Sequence, residues 1–218
     1  MHNHHTPIGP ARAAGGLILA LVGTLALSGC ATLSEEECLN ADWRVIGYED
    51  GAKGYAASRI GQHREACSKH NVVPDMQAYR AGRGEGLKEF CRPQNGYRLG
   101  LRGRSYAGVC PSTLEPRFVD AYNYGKKIHG VNRRISAKER ERKRQAQNLE
   151  QTKKTLTNKE AMLVKDNVPA TQRLRLLNET KELSKQQGTL ESEIKKLDQE
   201  IAELQGTVAE LKRNSRYQ

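Results

Sequence analysis

Cysteine, histidine, carboxylate and glycine residues crowd the middle of the chain, and their spacing sets the chemistry open to it. His63, Cys67 and His70 fall at i, i+4 and i+7, one face of a helix if that stretch is helical. Such a face could supply zinc ligands, but no acidic fourth ligand stands at a telling distance and no paired CxxC accompanies it. The reading adopted is no metal site, with His63 and His70 as surface or capping residues at a helix end. Asp42, Glu49 and Asp50 read as solvated or capping groups. An acid–base role would need His63 or His70 beside a carboxylate in a cleft. Gly82-Arg83-Gly84-Glu85-Gly86 is rich in glycine, yet no strand pattern precedes it and no Lys-Ser/Thr follows, which argues against a phosphate cradle. Serine-elbow and HExxH motifs are absent from the sequence. The expectation is a non-enzymatic protein with no catalytic residues and no cofactor.

With Cys30 set aside, Cys38, Cys67, Cys91 and Cys110 form an even set, which in an oxidising compartment points to two disulfides. Of the three pairings, Cys38–Cys67 with Cys91–Cys110 is preferred, because Cys67 and Cys91 sit near opposite ends of an expected antiparallel helix pair. A bridge typically stabilises by about 2–4 kcal/mol, which matters where apolar mass is short.

An imperfect pattern recurs around these cysteines: an aromatic residue followed by glycines at helical spacing. Trp43 precedes Gly47, Gly51 and Gly54; Tyr79 precedes Gly82 and Gly86; Tyr97 precedes Gly100 and Gly103; Tyr122 precedes Gly125. Glycine costs about 1 kcal/mol per helical position relative to alanine, so the repetition requires a packing reason. Glycines four apart make a groove that another helix or an aromatic ring can approach. Helices are expected near 41–50, 54–70, 75–90 and 116–129, with Pro74-Asp75 and Pro93-Gln94-Asn95-Gly96 as turns. Trp43, Tyr79, Tyr97 and Tyr106 could line a glycine-floored groove for an envelope glycan or peptide, the alternative function weighed; tyrosines at helical spacing are more often core.

Three motifs carry a family resemblance. Cys38-x3-Asp42-Trp43-x3-Gly47-x2-Asp50-Gly51-x2-Gly54, then Pro74-Asp75-x3-Tyr79-x2-Gly82-x3-Gly86-Leu87-x3-Cys91, then Tyr106-x3-Cys110-Pro111, resemble the Gram-negative lipoprotein family catalogued as domain of unknown function 2799. The resemblance covers about Cys38 to Pro111. It implies a cell-envelope location and a domain boundary, but no activity.

The N-terminus reads as a targeting segment. Arg12 is followed by an apolar run of eleven, Leu17 to Leu27, too short to span a membrane, which takes about 20. The run leads to Leu27-Ser28-Gly29-Cys30, which resembles the lipobox of bacterial lipoprotein precursors. That resemblance implies removal of 1–29 as a signal peptide, a diacylglyceryl thioether on Cys30, and acylation (palmitate or a similar chain) of its new amino group. Ala31 rather than Asp after the cysteine favours the periplasmic face of the outer membrane over the inner membrane. Two or three acyl chains anchor stably where one binds marginally.

The elements that must hold these residues divide the mature chain into a tether (30–37), a Cys/Gly-rich helical domain (38–131) and a coiled-coil tail (132–218). In the tail, Leu183, Gln187, Leu190, Ile194, Leu197, Ile201, Leu204, Val208 and Leu211 follow one another at alternating spacings of four and three. Upstream, Ile135, Leu149, Leu156 and Leu163 keep a seven-residue period that Arg142 interrupts. Asp166-Asn167-Val168-Pro169 breaks the helix, leaving arms 134–166 and 170–213. A hairpin centred near 168 sets 190–211, with six acidic and two basic residues, opposite 125–146, whose segment 133–146 has seven basic and two acidic. That complementarity favours the hairpin. The alternative is a parallel homodimer through 183–211, since the β-branched and leucine positions suit two strands.

Over all 218 residues, 36 Lys plus Arg stand against 25 Asp plus Glu, a formal charge of +11, with 37% hydrophobic and 5% aromatic residues, so a single large core is not expected. The basic run from Arg133 to Arg144 suits nucleic acid only in another compartment, and no nucleic-acid partner is expected. Remaining partners are the acidic arm, anionic lipid or lipopolysaccharide phosphates, and cell-wall carboxylates; otherwise the run is a solvated helix face. The sequence therefore points to an all-α protein, a small disulfide-stapled Gly-rich helical domain followed by a long helical hairpin. Its expected role is that of a lipid-anchored structural or adaptor protein. Its partners would be the membrane, through Cys30, and an unidentified envelope protein or the cell wall.

Overall fold

A computed structural model describes residues 33–217. The apolar run 17–27, the cleavage site and Cys30 lie outside the described residues. Within them the chain forms seven helices and no strand: α1 (Glu35–Leu39), α2 (Trp43–Ala52), α3 (Arg59–Ser68), α4 (Met76–Phe90), α5 (Pro93–Leu101), α6 (Glu115–Leu163) and α7 (Ala170–Arg213). No helix there is long and apolar enough to cross a membrane.

Local chemistry sets the helix starts. Ser34 and Glu37 form a reciprocal capping box on α1. Asp42 accepts from the Arg44 and Val45 amides, and Asp75 from those of Gln77 and Ala78, so each carboxylate satisfies donors a helix start leaves open. Pro93 and Pro116 occupy first-turn positions in α5 and α6, where the missing amide hydrogen is no loss. The segment Pro93–Gly96 therefore opens a helix rather than making a turn. The expected helix 54–70 begins only at Arg59, because Gly54 adopts φ +73° and ends the preceding turn.

The glycines build two helix pairs of the same design. In the first, a Cβ on Gly47 or Gly51 would overlap the Tyr79 or Arg83 carbonyl, and one on Gly82 or Gly86 the Arg44 or Tyr48 carbonyl. The residue numbers of the touching pairs rise together along α2 and α4, so these helices run parallel, with α3 in the crossover. Thus α4 packs closely on α2 and not as the antiparallel partner of α3. In the second pair, Gly96 and Gly100 meet the Phe118 and Tyr122 carbonyls, while Gly125 meets that of Tyr97. Gly47, Gly51 and Gly54 correspond to Gly96, Gly100 and Gly103, and Gly86 to Gly125. The match extends to detail: Gly54 sits under the Phe90 ring, and Gly103, at φ +66°, under the His129 ring. The imperfect recurrence in the sequence is thus a structural duplication, with a shorter crossover in the second unit.

Cys38 is bonded to Cys67 and Cys91 to Cys110, with Cα separations of 5.4 and 5.7 Å. The first bridge ties α1 to the end of α3, and the second ties the end of α4 to the loop before α6.

The helix expected at 116–129 and the first tail arm are one element. α6 is 49 residues long and runs unbroken past residue 132. Its first turns pack on α5 and its remainder on α7. Ala121, Ile128 and Ile135 of α6, Tyr97 of α5, and Ile201, Leu204 and Val208 of α7 share one buried cluster. The core of the second unit and the seam of the hairpin are therefore continuous. Arg173 closes the bend, its guanidinium donating to the Leu163 and Lys165 carbonyls.

Candidate functional site

Asp50 lies on α2 between Gly47 and Gly51, on the face that those glycines press against α4. The close approach places its carboxylate in the interior, with a side chain only 7% exposed. Asp50 Oδ2 accepts the hydrogen bond of the Tyr79 hydroxyl at 2.7 Å and stands 2.8 Å from His63 Nε2, an arrangement in which Nε2–H donates. Tyr79 and His63 are 1% and 3% exposed, and their rings meet edge to face at 6.3 Å. Burial, and then the hydrogen bond to Asp50, push the Tyr79 phenol well above its ordinary pKa. Three helices thus contribute one polar group each to a single buried knot.

This placement corrects the reading of His63 as a surface or capping residue and of Asp50 as solvated. Cys67, one turn beyond His63, is in a disulfide, so the face that carries both points inward. His70 lies in the turn beyond the end of α3, 3.6 Å from Glu35 and away from the knot. His63, Cys67 and His70 are therefore not gathered around one point. Among the described residues, no group of three or more His, Cys, Asp or Glu side chains is arranged to hold a metal ion.

The second unit shows what the knot is not needed for. The position of Asp50 is occupied by Leu99, and that of Tyr79 by Phe118, which is fully buried. The same parallel pair therefore closes around an apolar centre in one copy and a hydrogen-bonded one in the other. A histidine beside a carboxylate is a familiar acid–base arrangement, but here both are sealed in packed interior rather than lining a cleft. What the knot can do chemically is orient Tyr79 and tie α2, α3 and α4 together.

The four aromatic residues considered for a groove are distributed over three clusters. Trp43 and Tyr79 pack with the Cys38–Cys67 bridge. Tyr106 packs with Phe118 and Tyr122, and its hydroxyl donates to Glu115 and accepts from the Cys110 amide, both at 2.9 Å. Tyr97 belongs to the cluster shared with the hairpin, stacked near Tyr124 and Tyr217. The structure does not bring the four together on one groove.

The tail meets itself. Lys138 pairs with Glu200, Arg142 with Asp198, Lys153 with Glu191, and Lys159 with Glu179. These partners follow the register of a bend near 168. Leu190, Leu197, Ile201, Leu204 and Val208 are buried against α6. At the open end, the Tyr124 hydroxyl donates to the Leu211 carbonyl at 2.8 Å, and Asp120 accepts from both Arg216 and Tyr217. Those two bonds lower the Asp120 pKa. Of the basic run, Arg133, Arg134, Arg140 and Lys143 have no carboxylate partner among the described residues.

Fold and site together define a class: an all-α protein whose tandem glycine-seamed helix pairs are stapled by two disulfides and extended by a helical hairpin. Residues 42–127 match the model of a family described as "Protein of unknown function (DUF2799)". The match opens at the cap of α2 and ends inside α6, so it takes in both glycine-seamed pairs and extends past the segment suggested by the motifs. No curated protein and no solved structure matches the chain.

Proposed function

We propose that this protein is a lipid-anchored, non-enzymatic component of the bacterial cell envelope, held to the periplasmic face of the outer membrane by acyl chains on Cys30. In this reading the duplicated domain is a rigid base, and the hairpin is the arm that meets a protein or cell-wall partner. The observation that carries the proposal is the unbroken passage of α6 from the stapled base into the hairpin, with one core spanning the junction. An arm joined through a flexible linker would transmit neither position nor force, whereas a continuous helix fixes the direction of everything beyond it. Two disulfides support residence in an oxidising compartment. The lipobox-like Leu27-Ser28-Gly29-Cys30 supports the anchor.

Fractionation of cells expressing the full chain and its Cys30→Ser variant tests the reading. The wild type is expected in the outer-membrane fraction, released by detergent but not by salt, and the variant is expected to keep residues 1–29 and to be missing from that fraction. A variant that is still cleaved and still reaches the outer membrane would refute acyl anchoring at Cys30.

A further inference from the structure

Between α3 and α4 lies a cavity of about 370 Å³ lined by Ala57, Ile60, Met76, Tyr79, Arg80, Arg83 and Gly84. Three observations set it apart. Arg83 Nε and, beside the cavity, Arg59 Nε are buried without a hydrogen-bond partner, although buried donors are nearly always satisfied. Neither guanidinium has a carboxylate partner among the described residues: Arg59 lies over the Tyr55 ring and donates to Gln62, while Arg83 donates to the Tyr55 carbonyl. Both thus converge on Tyr55 with their charges uncompensated by an ion pair.

The duplication shows that the charge of Arg83 is not structural. In the second unit the position of Arg83 is Tyr122, whose hydroxyl donates to the Arg104 carbonyl, the counterpart of the Tyr55 carbonyl. The same tie is therefore made there by a neutral group. Gly84 is the third observation. Gly82 and Gly86 are explained by the carbonyls of α2, but a Cβ on Gly84 would meet nothing within 4 Å. Gly84 is an exposed residue on the rim of the cavity, so a larger side chain there would stand over its mouth.

We propose that this cavity binds a carboxylate carried on a small apolar group. The planar guanidinium of Arg83, with Arg80 also on the lining, would hold the carboxylate, since the arginine fork matches two carboxylate oxygens. Ala57, Ile60, Met76 and the Tyr79 ring would take the apolar part, and the Asp50–His63 knot fixes that ring in place. The size suits a small molecule. A free fatty acid and the carboxyl end of a short peptide share this chemistry. The site is independent of the anchor at Cys30, so failure of one leaves the other standing.

The test uses the full chain in detergent, titrated with hexanoate and, separately, N-acetyl-leucine, with hexanol and N-acetyl-leucinamide as neutral counterparts. The arginine Nε–H resonances, assigned with Arg83→Lys and Arg59→Lys, are followed by NMR, and affinity by calorimetry. At least one acid is expected to shift the Arg83 resonance saturably, with its neutral counterpart at least tenfold weaker. The tighter acid identifies the lipid-like or peptide-like source. Arg83→Gln is expected to weaken binding at least tenfold. Gly84→Leu sets a bulky side chain over the mouth of the cavity from an exposed position that touches nothing else, and is expected to weaken binding at least tenfold while helicity and both disulfides persist. Should Arg83→Gln fail to fold, Gly84→Leu alone decides the matter. Absence of a shift with either acid, equal binding of acid and neutral counterpart, or undiminished binding by folded Gly84→Leu would overturn the proposal.

Discussion

Gly82 and Gly84 are two residues apart on one helix, yet a methyl group added to each should act in opposite directions. At Gly82 it would overlap the Arg44 carbonyl, which belongs to a helix and cannot rotate away, so α2 must shift. Overpacking of this kind costs about 1–3 kcal/mol. At Gly84 the methyl meets nothing, and the gain in helix propensity is about 1 kcal/mol. Urea denaturation of Gly82→Ala and Gly84→Ala is expected to move the midpoint down and up respectively. A second prediction concerns Tyr79. Its pKa is raised in the folded protein by burial and by Asp50, so the native state keeps its proton above the ordinary value of about 10. The resulting stability is fully present below pH ~10 and is lost as pH rises above it, because the unfolded tyrosine ionises first. Denaturation midpoints measured between neutral and alkaline pH should fall, and fall less steeply in Tyr79→Phe. Asp50 was read as solvated, although a cue to its burial was present: it sits three residues after Gly47 and beside Gly51, on the face of close approach. His63 carried no such mark, since only the inward turn of Cys67 reveals which way its helix faces.

At the scale of elements, helix starts were readable near the capping residues Asp42 and Asp75, and the bend at Pro169 was equally plain, but α1, opened by the Ser34–Glu37 capping box, falls largely in the segment read as a tether. Two other element boundaries were not readable. Pro93-Gln94-Asn95-Gly96 has turn composition, but Gly96 is small to admit the Phe118 carbonyl, a long-range demand that no local pattern displays. The junction near 131 shows a change in composition without a break in backbone, because the helix simply passes from one partner to the next. The antiparallel α3–α4 pair behind the preferred disulfide pairing does not form, although Cys38–Cys67 and Cys91–Cys110 do. Hairpin register was legible from charge alone, while the seam, which also suits a parallel dimer, left the partner open. Their energetic shares differ: Arg142 and Asp198 are both about half exposed, so Arg142→Ala should cost under ~1 kcal/mol. Leu204→Ala, in the seam, should cost about 2–4 kcal/mol. Thermal or urea unfolding of the two variants, compared at the same ionic strength, checks that ranking.

At the scale of the whole molecule, the polar, basic composition resolves into parts with different physical causes. The apolar residues are few but concentrated in the two helix pairs and one seam, joined by the cluster around Tyr97, Ile128 and Ile201. The acidic stretch 190–211 of α7 offsets part of the basic run, while Arg133, Arg134, Arg140 and Lys143 remain facing outward. The account rests most heavily on the anchor, since a base, an arm and a cavity acquire an address only if Cys30 is acylated. The direct measurement is intact and N-terminal peptide mass spectrometry of the protein purified from envelopes without proteolysis. The account predicts a first residue of Cys30 carrying a diacylglyceryl thioether and an acylated amino group. A mature protein that retains residues 1–29, or begins elsewhere with Cys30 unmodified, would contradict it.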